Sequence, residues 1–181
     1  VADPATKVSR PTWSPDGRSI LVTANDAQGQ VELLRYVSAE PSSSDAADWS
    51  PHSIVTDAMH SPREGEPVIP TEQVTSAAFA PDGQTLALTA NWRDGIFKVY
   101  VVPVRRGVIG TVAKPLPRIR GCELAWRSDS KELVVAWRDG GSCDGSGQIV
   151  RVDVRHPDRP VLLTQLGPNS GNPVFGTPPE K

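Results

Sequence analysis

Methionine occurs once in these 181 residues, cysteine twice and histidine three times, and aromatic residues make up only 6%. Each scarcity removes a class of protein. No apolar run approaches the roughly 18 residues that a membrane-spanning helix needs, so this segment is not expected to insert into a bilayer. No stretch carries a sustained 3.6-residue apolar period, so helix should be minimal. The opening residues VADPATK have neither an initiator Met nor a charged-then-apolar leader pattern. A processed protein, or an excised piece of a longer one, is expected. Two cysteines without C-x-x-C spacing do not make a structural zinc site, which takes about four ligands. A basic surplus is also missing. The formal net charge is −2, and groupings such as Arg105 with Arg106, or Arg118 with Arg120, are too sparse for a phosphate track. No nucleic-acid partner is expected.

Catalytic patterns are equally thin. A serine nucleophile needs a G-x-S-x-G elbow between strand and helix. The nearest stretch, GGSCDG at residues 140–145, puts Asp144 where the closing Gly belongs around Ser142. His52, His60 and His156 form no H-E-x-x-H set, and His60 with Glu64 and Glu66 reads as a solvated loop. DGSG at 144–147 lacks the repeated Asp and closing Glu of a calcium loop. No Gly-rich phosphate cradle opens a helix. Neither catalysis nor a metal or cofactor is expected.

Proline (18) and glycine (15) are abundant, a balance that suits many turns between short strands. The turns recur. PTWSPDGRSI at residues 11–20 returns as AAFAPDGQTL at 77–86 and, in altered form, as LAWRSDSKEL at 124–133. The aromatic anchors are Trp13, Phe79 and Trp126. After each come an apolar run, a polar Gly-containing loop and a second apolar run: SILVTA and VELLRYV, TLALTA and IFKVYVVPV, ELVVAW and IVRVDV. Weaker fourth runs lie near 52–56, 109–116 and 160–164. Four short strands per repeat, A to D, define a propeller blade, whose period is about 40–45 residues. The longer first interval predicts an insertion. In WSPDG, Pro15 pre-sets φ, Asp16 suits the next turn position and Gly17 takes the left-handed one. Pro81, Asp82 and Gly83 repeat this. The third copy offers Ser128, Asp129 and Ser130, so its turn should be the least preorganised.

This motif resembles the TolB-like, WD-related repeat of bacterial β-propellers, over roughly residues 9–175. The resemblance implies an all-β partial propeller: three four-stranded antiparallel blades plus an extra strand, as an open arc or half-propeller. The expected divisions are blade one at about 8–57 with an insertion at 38–73, blade two at about 74–116, blade three at about 121–165, and the start of a fourth strand set at 169–178. DWSPHS at 48–53 copies part of the motif without Asp-Gly, and is read as insertion. The family spans periplasmic scaffold proteins, lipoproteins, sensor ectodomains and the non-catalytic propellers of prolyl-oligopeptidase-type enzymes.

Cys122 precedes the third strand A, and Cys143 lies in the following B–C loop. An A–B hairpin brings both to one end of blade three, which suits a disulfide; two ordinary thiols are the alternative. A disulfide implies an oxidising compartment, and the family resemblance also points outside the cytoplasm. Trp13 and Trp126 are read as core between blades, and Trp49 as a local clamp. The tetrapeptide WRDG occurs twice in B–C loops. Trp92, Arg93, Asp94, Trp137, Arg138 and Asp139 therefore form the candidate binding set, with the composition of an interaction hot spot. The expected function is a non-catalytic scaffold or sensor module of the bacterial envelope, binding a protein or envelope ligand. The alternatives are the accessory propeller of a peptidase and a module that closes a propeller as a homodimer.

Overall fold

The computed structural model describes residues 11–25, 31–38, 45, 48–54, 74–91, 96–110, 114–137 and 147–164, with residues 24, 25, 31–34, 51–54 and 91 described through their backbone alone. Twelve strands and no α-helix are found among the described residues. Strands β1 (Thr12–Trp13), β2 (Ser19–Asn25), β3 (Val31–Ser38) and β4 (Trp49–Ile54) form an antiparallel sheet in that order. The second sheet holds β5 (Val74–Phe79), β6 (Thr85–Asn91), β7 (Phe97–Arg105), β8 (Val108–Ile109), β9 (Lys114–Trp126), β10 (Glu132–Trp137), β11 (Gln148–Asp153) and β12 (Val161–Leu162). Its order is β12-β11-β10-β9-β7-β6-β5, with β8 also on β7. This is an open all-β arc built from blade-like antiparallel units.

Two details of strand placement differ from the sequence reading. Trp49 to Ser53, read as insertion, lies in β4, where Trp49 pairs with Ser38 and Pro51 with Tyr36. An edge strand tolerates proline, because one side of its backbone needs no partner. The second difference is that blades two and three are fused. β9 pairs with β7 through Lys114↔Val101 and Arg120↔Lys98, then with β10 from Gly121↔Trp137 to Trp126↔Leu133. The fourth strand of one blade thus continues as the first strand of the next. Gly121 allows the passage: a Cβ there would stand 2.4 Å from the Ala136 carbonyl oxygen and 2.5 Å from Val135 Cγ1.

The three motif turns use one hydrogen-bond pattern. The N–H groups of Ser14, Ala80 and Arg127 donate to the carbonyls of Ser19, Thr85 and Glu132 at 2.8, 2.7 and 2.9 Å. Those of Gly17, Gly83 and Ser130 donate back to Ser14, Ala80 and Arg127 at 2.9, 2.8 and 3.1 Å. Asp16, Asp82 and Asp129 each accept from the backbone two residues on, at 3.1, 2.9 and 3.0 Å. Ser130 adopts φ 59°, beside 70° at Gly17 and 69° at Gly83. The third turn keeps the left-handed position without its glycine. What it gains is a contact: the Ser130 hydroxyl accepts from the Asp82 N–H at 2.9 Å, tying two blades together.

Strand alternation divides the interior into two cores. One joins Leu21 of β2 to Phe79, Leu86, Leu88, Tyr100 and Val102 of blade two. The other joins Ala80, Ala87 and Val99 of blade two to Leu124, Trp126, Leu133, Val135, Val150 and Val152 of blade three. Phe79 and Trp126 thus each pack against the preceding blade, and the Trp126 indole N–H also donates to the Ala78 carbonyl at 2.9 Å. Trp13 does not fill a core as expected. It pairs with Ile20 as Phe79 pairs with Leu86 and Trp126 with Leu133, so it points the same way. No described blade lies there, and Trp13 is 55% exposed. Its ring instead meets Trp49 edge-on, with centroids 5.6 Å apart. A second tie crosses from blade one to blade two: Arg35 donates to the Ser19 hydroxyl at 2.7 and 2.9 Å and to the Gly107 carbonyl.

Candidate binding face

The strand registers decide which loops share an end of the sheet. Asn91 pairs with Phe97, so the WRDG loop of blade two leaves and re-enters there. Trp137 pairs with both Gln148 and Gly121, so the corresponding loop of blade three springs from the next position. Arg120, opposite Lys98, and Gly121, opposite Trp137, are consecutive residues. One step of backbone therefore connects the roots of the two loops. Of the candidate set, Trp137 is the member within the described residues. It is half-buried at the end of β10 and packs on the core between blades two and three. Trp92, Arg93, Asp94, Arg138 and Asp139 lie outside the described residues.

Beneath this end sits a small polar junction. Thr89 is fully buried, and its hydroxyl lies 2.8 Å from that of Thr75. The carbonyl of Cys122 lies within hydrogen-bond reach of both, 3.2 Å from Thr89 Oγ1 and 3.0 Å from Thr75 Oγ1, so one hydroxyl donates to it and can accept from the other. A buried carbonyl needs such a donor, and here the pair locks the start of blade three to blade two. Among the described residues there is no free thiol. Cys143 lies outside them, so its pairing with Cys122 enters below as a proposal.

The same end carries cations that sequence reading passed over as too sparse. Between Pro115↔Tyr100 and Arg120↔Lys98 the register shifts, and residues 116–119 of β9 stand against Val99 alone. Leu116 and Ile119 turn inward and are buried, while Pro117 and Arg118 are exposed. Arg118 is held at φ 63°. Arg120 is exposed and faces Lys98 across the strands. The signal was present in PLPRIRG, where apolar and basic residues interleave, but placing Lys98 there required the register.

The opposite end holds the motif turns. A hydrogen bond from the Ser14 hydroxyl at 2.6 Å, then the Arg18 N–H, hold the Asp16 carboxyl below the usual carboxylate range. The Lys131 N–H, chiefly, does the same for Asp129. Arg127 reaches Glu132 at 2.6 Å, which raises its pKa, and Glu132 also meets Arg151 at 3.5 Å. These carboxylates are occupied in holding turns. No group of three or more metal-ligating side chains occurs among the described residues.

No family model matches the sequence, and no curated protein matches it either. Solved structures do. TolB from Acinetobacter baumannii matches with a TM-score of 0.55 at 21% identity, over 86% of this chain and 32% of its own. A protein of Agrobacterium tumefaciens assigned as TolB gives 0.58 at 18%, over 88% and 46%. The β-propeller domain of the Trilobed protease from Pyrococcus furiosus, described as having an open velcro topology, gives 0.51 at 13%, over 88% and 43%. The fold defined by the sheets is thus a β-propeller arc. Its particular form is TolB-like, and the chain spans from 32% to 46% of the length of these three structures.

Proposed function

We propose that this chain is a non-catalytic binding module of the bacterial cell envelope, holding a protein or envelope ligand on the face built by its B–C loops. The reading rests on one observation above others: the roots of both WRDG loops meet at the Arg120–Gly121 step. Two loops of the same composition, Trp with an Arg-Asp pair, then act as one patch on a rigid scaffold. The likeness to TolB supports an extracytoplasmic setting. A disulfide between Cys122 and Cys143 belongs to the same proposal; it would tie the second loop to the start of blade three. The protease propeller supports a second reading, an accessory domain beside a catalytic domain. The outward-facing Trp13 supports a third, ring closure with a second copy.

Site-specific photo-crosslinking in the native host tests the first reading. A photoreactive residue at position 93 or 138 is expected to give a discrete adduct, and one at Arg155, on the turn side, is not. Adducts from Arg155 alone, or from none of the three in folded protein, overturn it.

A further inference from the structure

We infer that the end of the sheet bearing the two WRDG loops takes an acidic peptide segment, gripped by Arg118 and Arg120 beside Lys98. This rests on the face assigned above and names the chemistry of its partner. Three features carry it. Lys98 and Arg120 are direct cross-strand partners. The pairing sets a second cation beside the exposed Arg120 at the loop end of the sheet. Arg118 occupies a left-handed backbone position, uncommon for any residue but glycine. It is kept there because Leu116 and Ile119 are buried on either side. A bulge anchored at both ends and aiming an exposed side chain outward is a device found beside functional sites. Finally, neither arginine side chain forms an ion pair or hydrogen bond with a described residue; Arg105 and Arg106 share that exposure, but at the end of β7 away from the WRDG loops.

The neighbouring charges do not cancel the patch. Lys98 and Glu123 already have partners of their own. Each WRDG loop contributes one Arg and one Asp to the sequence, so the loops add no net charge. What remains are two exposed arginines two positions apart on β9, and a guanidinium fork matches a carboxylate. Nucleic acid is disfavoured, since it needs a longer phosphate-tracking surface and this chain carries a net charge of −2. An anionic membrane is disfavoured as well, since such recognition uses clusters of about four to eight cations.

The test is fluorescence anisotropy with a labelled oligoglutamate peptide and the full chain. Binding is expected, weakening as salt is raised. The double variant Arg118→Glu/Arg120→Glu is expected to lose roughly tenfold in affinity, from two disrupted and reversed exposed ion pairs. The charge-matched control Lys131→Glu/Arg155→Glu, on the turn side, is expected to change little. Should the double variant fail to give the wild-type circular dichroism spectrum, Arg118→Gln/Arg120→Gln replaces it. Equal losses in test and control overturn the inference, because net charge alone would then explain binding. Absence of peptide binding overturns it too. So does stronger binding of a charge-matched single-stranded oligonucleotide, or sedimentation with phosphatidylserine vesicles that depends on Arg118 and Arg120. Crosslinks from positions 93 and 138 without peptide binding would retain the face and reject only its acidic partner.

Discussion

Replacing the two tryptophan anchors separately should give unequal losses, and the difference follows from which way each points. Trp126 is 8% exposed, packs with Leu133, Val135, Val150 and Val152, and donates its indole N–H to the Ala78 carbonyl. Trp126→Ala removes that contact area, leaves a cavity between two blades and strips a carbonyl of its donor. Truncations of this kind cost about 3–5 kcal/mol. Trp13 is 55% exposed and packs edge-on against Trp49. Less than half its surface returns to water on truncation, and no enclosed cavity forms. The area lost and the ring pair together give about 1–2 kcal/mol. For a chain of this size each kcal/mol moves the Tm by about 2–4 °C. The expected drops are therefore about 6–20 °C for Trp126→Ala and about 2–8 °C for Trp13→Ala. Far-UV circular dichroism should follow both heat and urea transitions, because tryptophan fluorescence changes with the substitutions themselves. Trp126→Phe separates the hydrogen bond from the packing, and losing that bond should cost about 1 kcal/mol. Equal losses at Trp13 and Trp126 would refute the rule that each anchor faces the preceding blade.

Other perturbations follow from single contacts. Gly121→Ala drives a Cβ into the Ala136 carbonyl and should cost about 1–3 kcal/mol by forcing β9 away from β10, read from urea midpoints. Arg35→Ala removes the tie to Ser19 and Gly107; a loss of about 1.5–3 kcal/mol is expected, with faster amide exchange concentrated in β2 and β3. Alkylation without reductant, followed by mass spectrometry, should leave Cys122 and Cys143 unlabelled, whereas two labelled thiols would remove the disulfide and weaken the envelope assignment. The Asp16 and Asp129 carboxyls are depressed in the folded chain, so the unfolded chain takes up protons first as pH falls. Their contribution is complete above the unfolded value of about 3.9 and is lost as pH drops through the folded one. Asp16→Asn should flatten the acid limb of a stability–pH curve, and an unchanged limb would show that this carboxylate does not contribute.

Much of this fold was legible because turns are local. Pro15-Asp16-Gly17 and Pro81-Asp82-Gly83 state a turn geometry in three letters, and the structure forms those turns with matched hydrogen bonds. What escaped was non-local. The burial of an anchor depends on whether a blade stands in front of it, which no feature of Trp13 itself encodes. The fusion of two blades through β9 depends on a register between residues 98 and 120. β4 begins earlier than expected because residues 48–53 read as insertion for want of Asp-Gly, and only the pairing of residues 49–54 with β3 makes it a strand. The candidate face was half legible. WRDG announces itself by repetition, but Lys98 joins Arg120 only through pairing.

Departures from the repeat can be sorted by whether the packed structure accounts for them. Ser130 replaces a glycine at a left-handed position, a costly change in isolation, yet its hydroxyl receives the Asp82 N–H and joins two turns. That departure is structural. The stretch 116–119 is different. Its buried members, Leu116 and Ile119, serve the core between blades two and three. Nothing in that core requires an arginine between them, or a second arginine set against a lysine. A sheet built for stability alone would place a β-branched or oppositely charged residue at Arg120, and a small or flexible one at Arg118. The chain instead holds a left-handed Arg118 and an exposed Arg120 within three residues of the Arg120–Gly121 step, where the two loops take root. Recurrence thus identifies the scaffold, and Arg118 and Arg120, for which the core gives no structural return, are the residues to test on the proposed face.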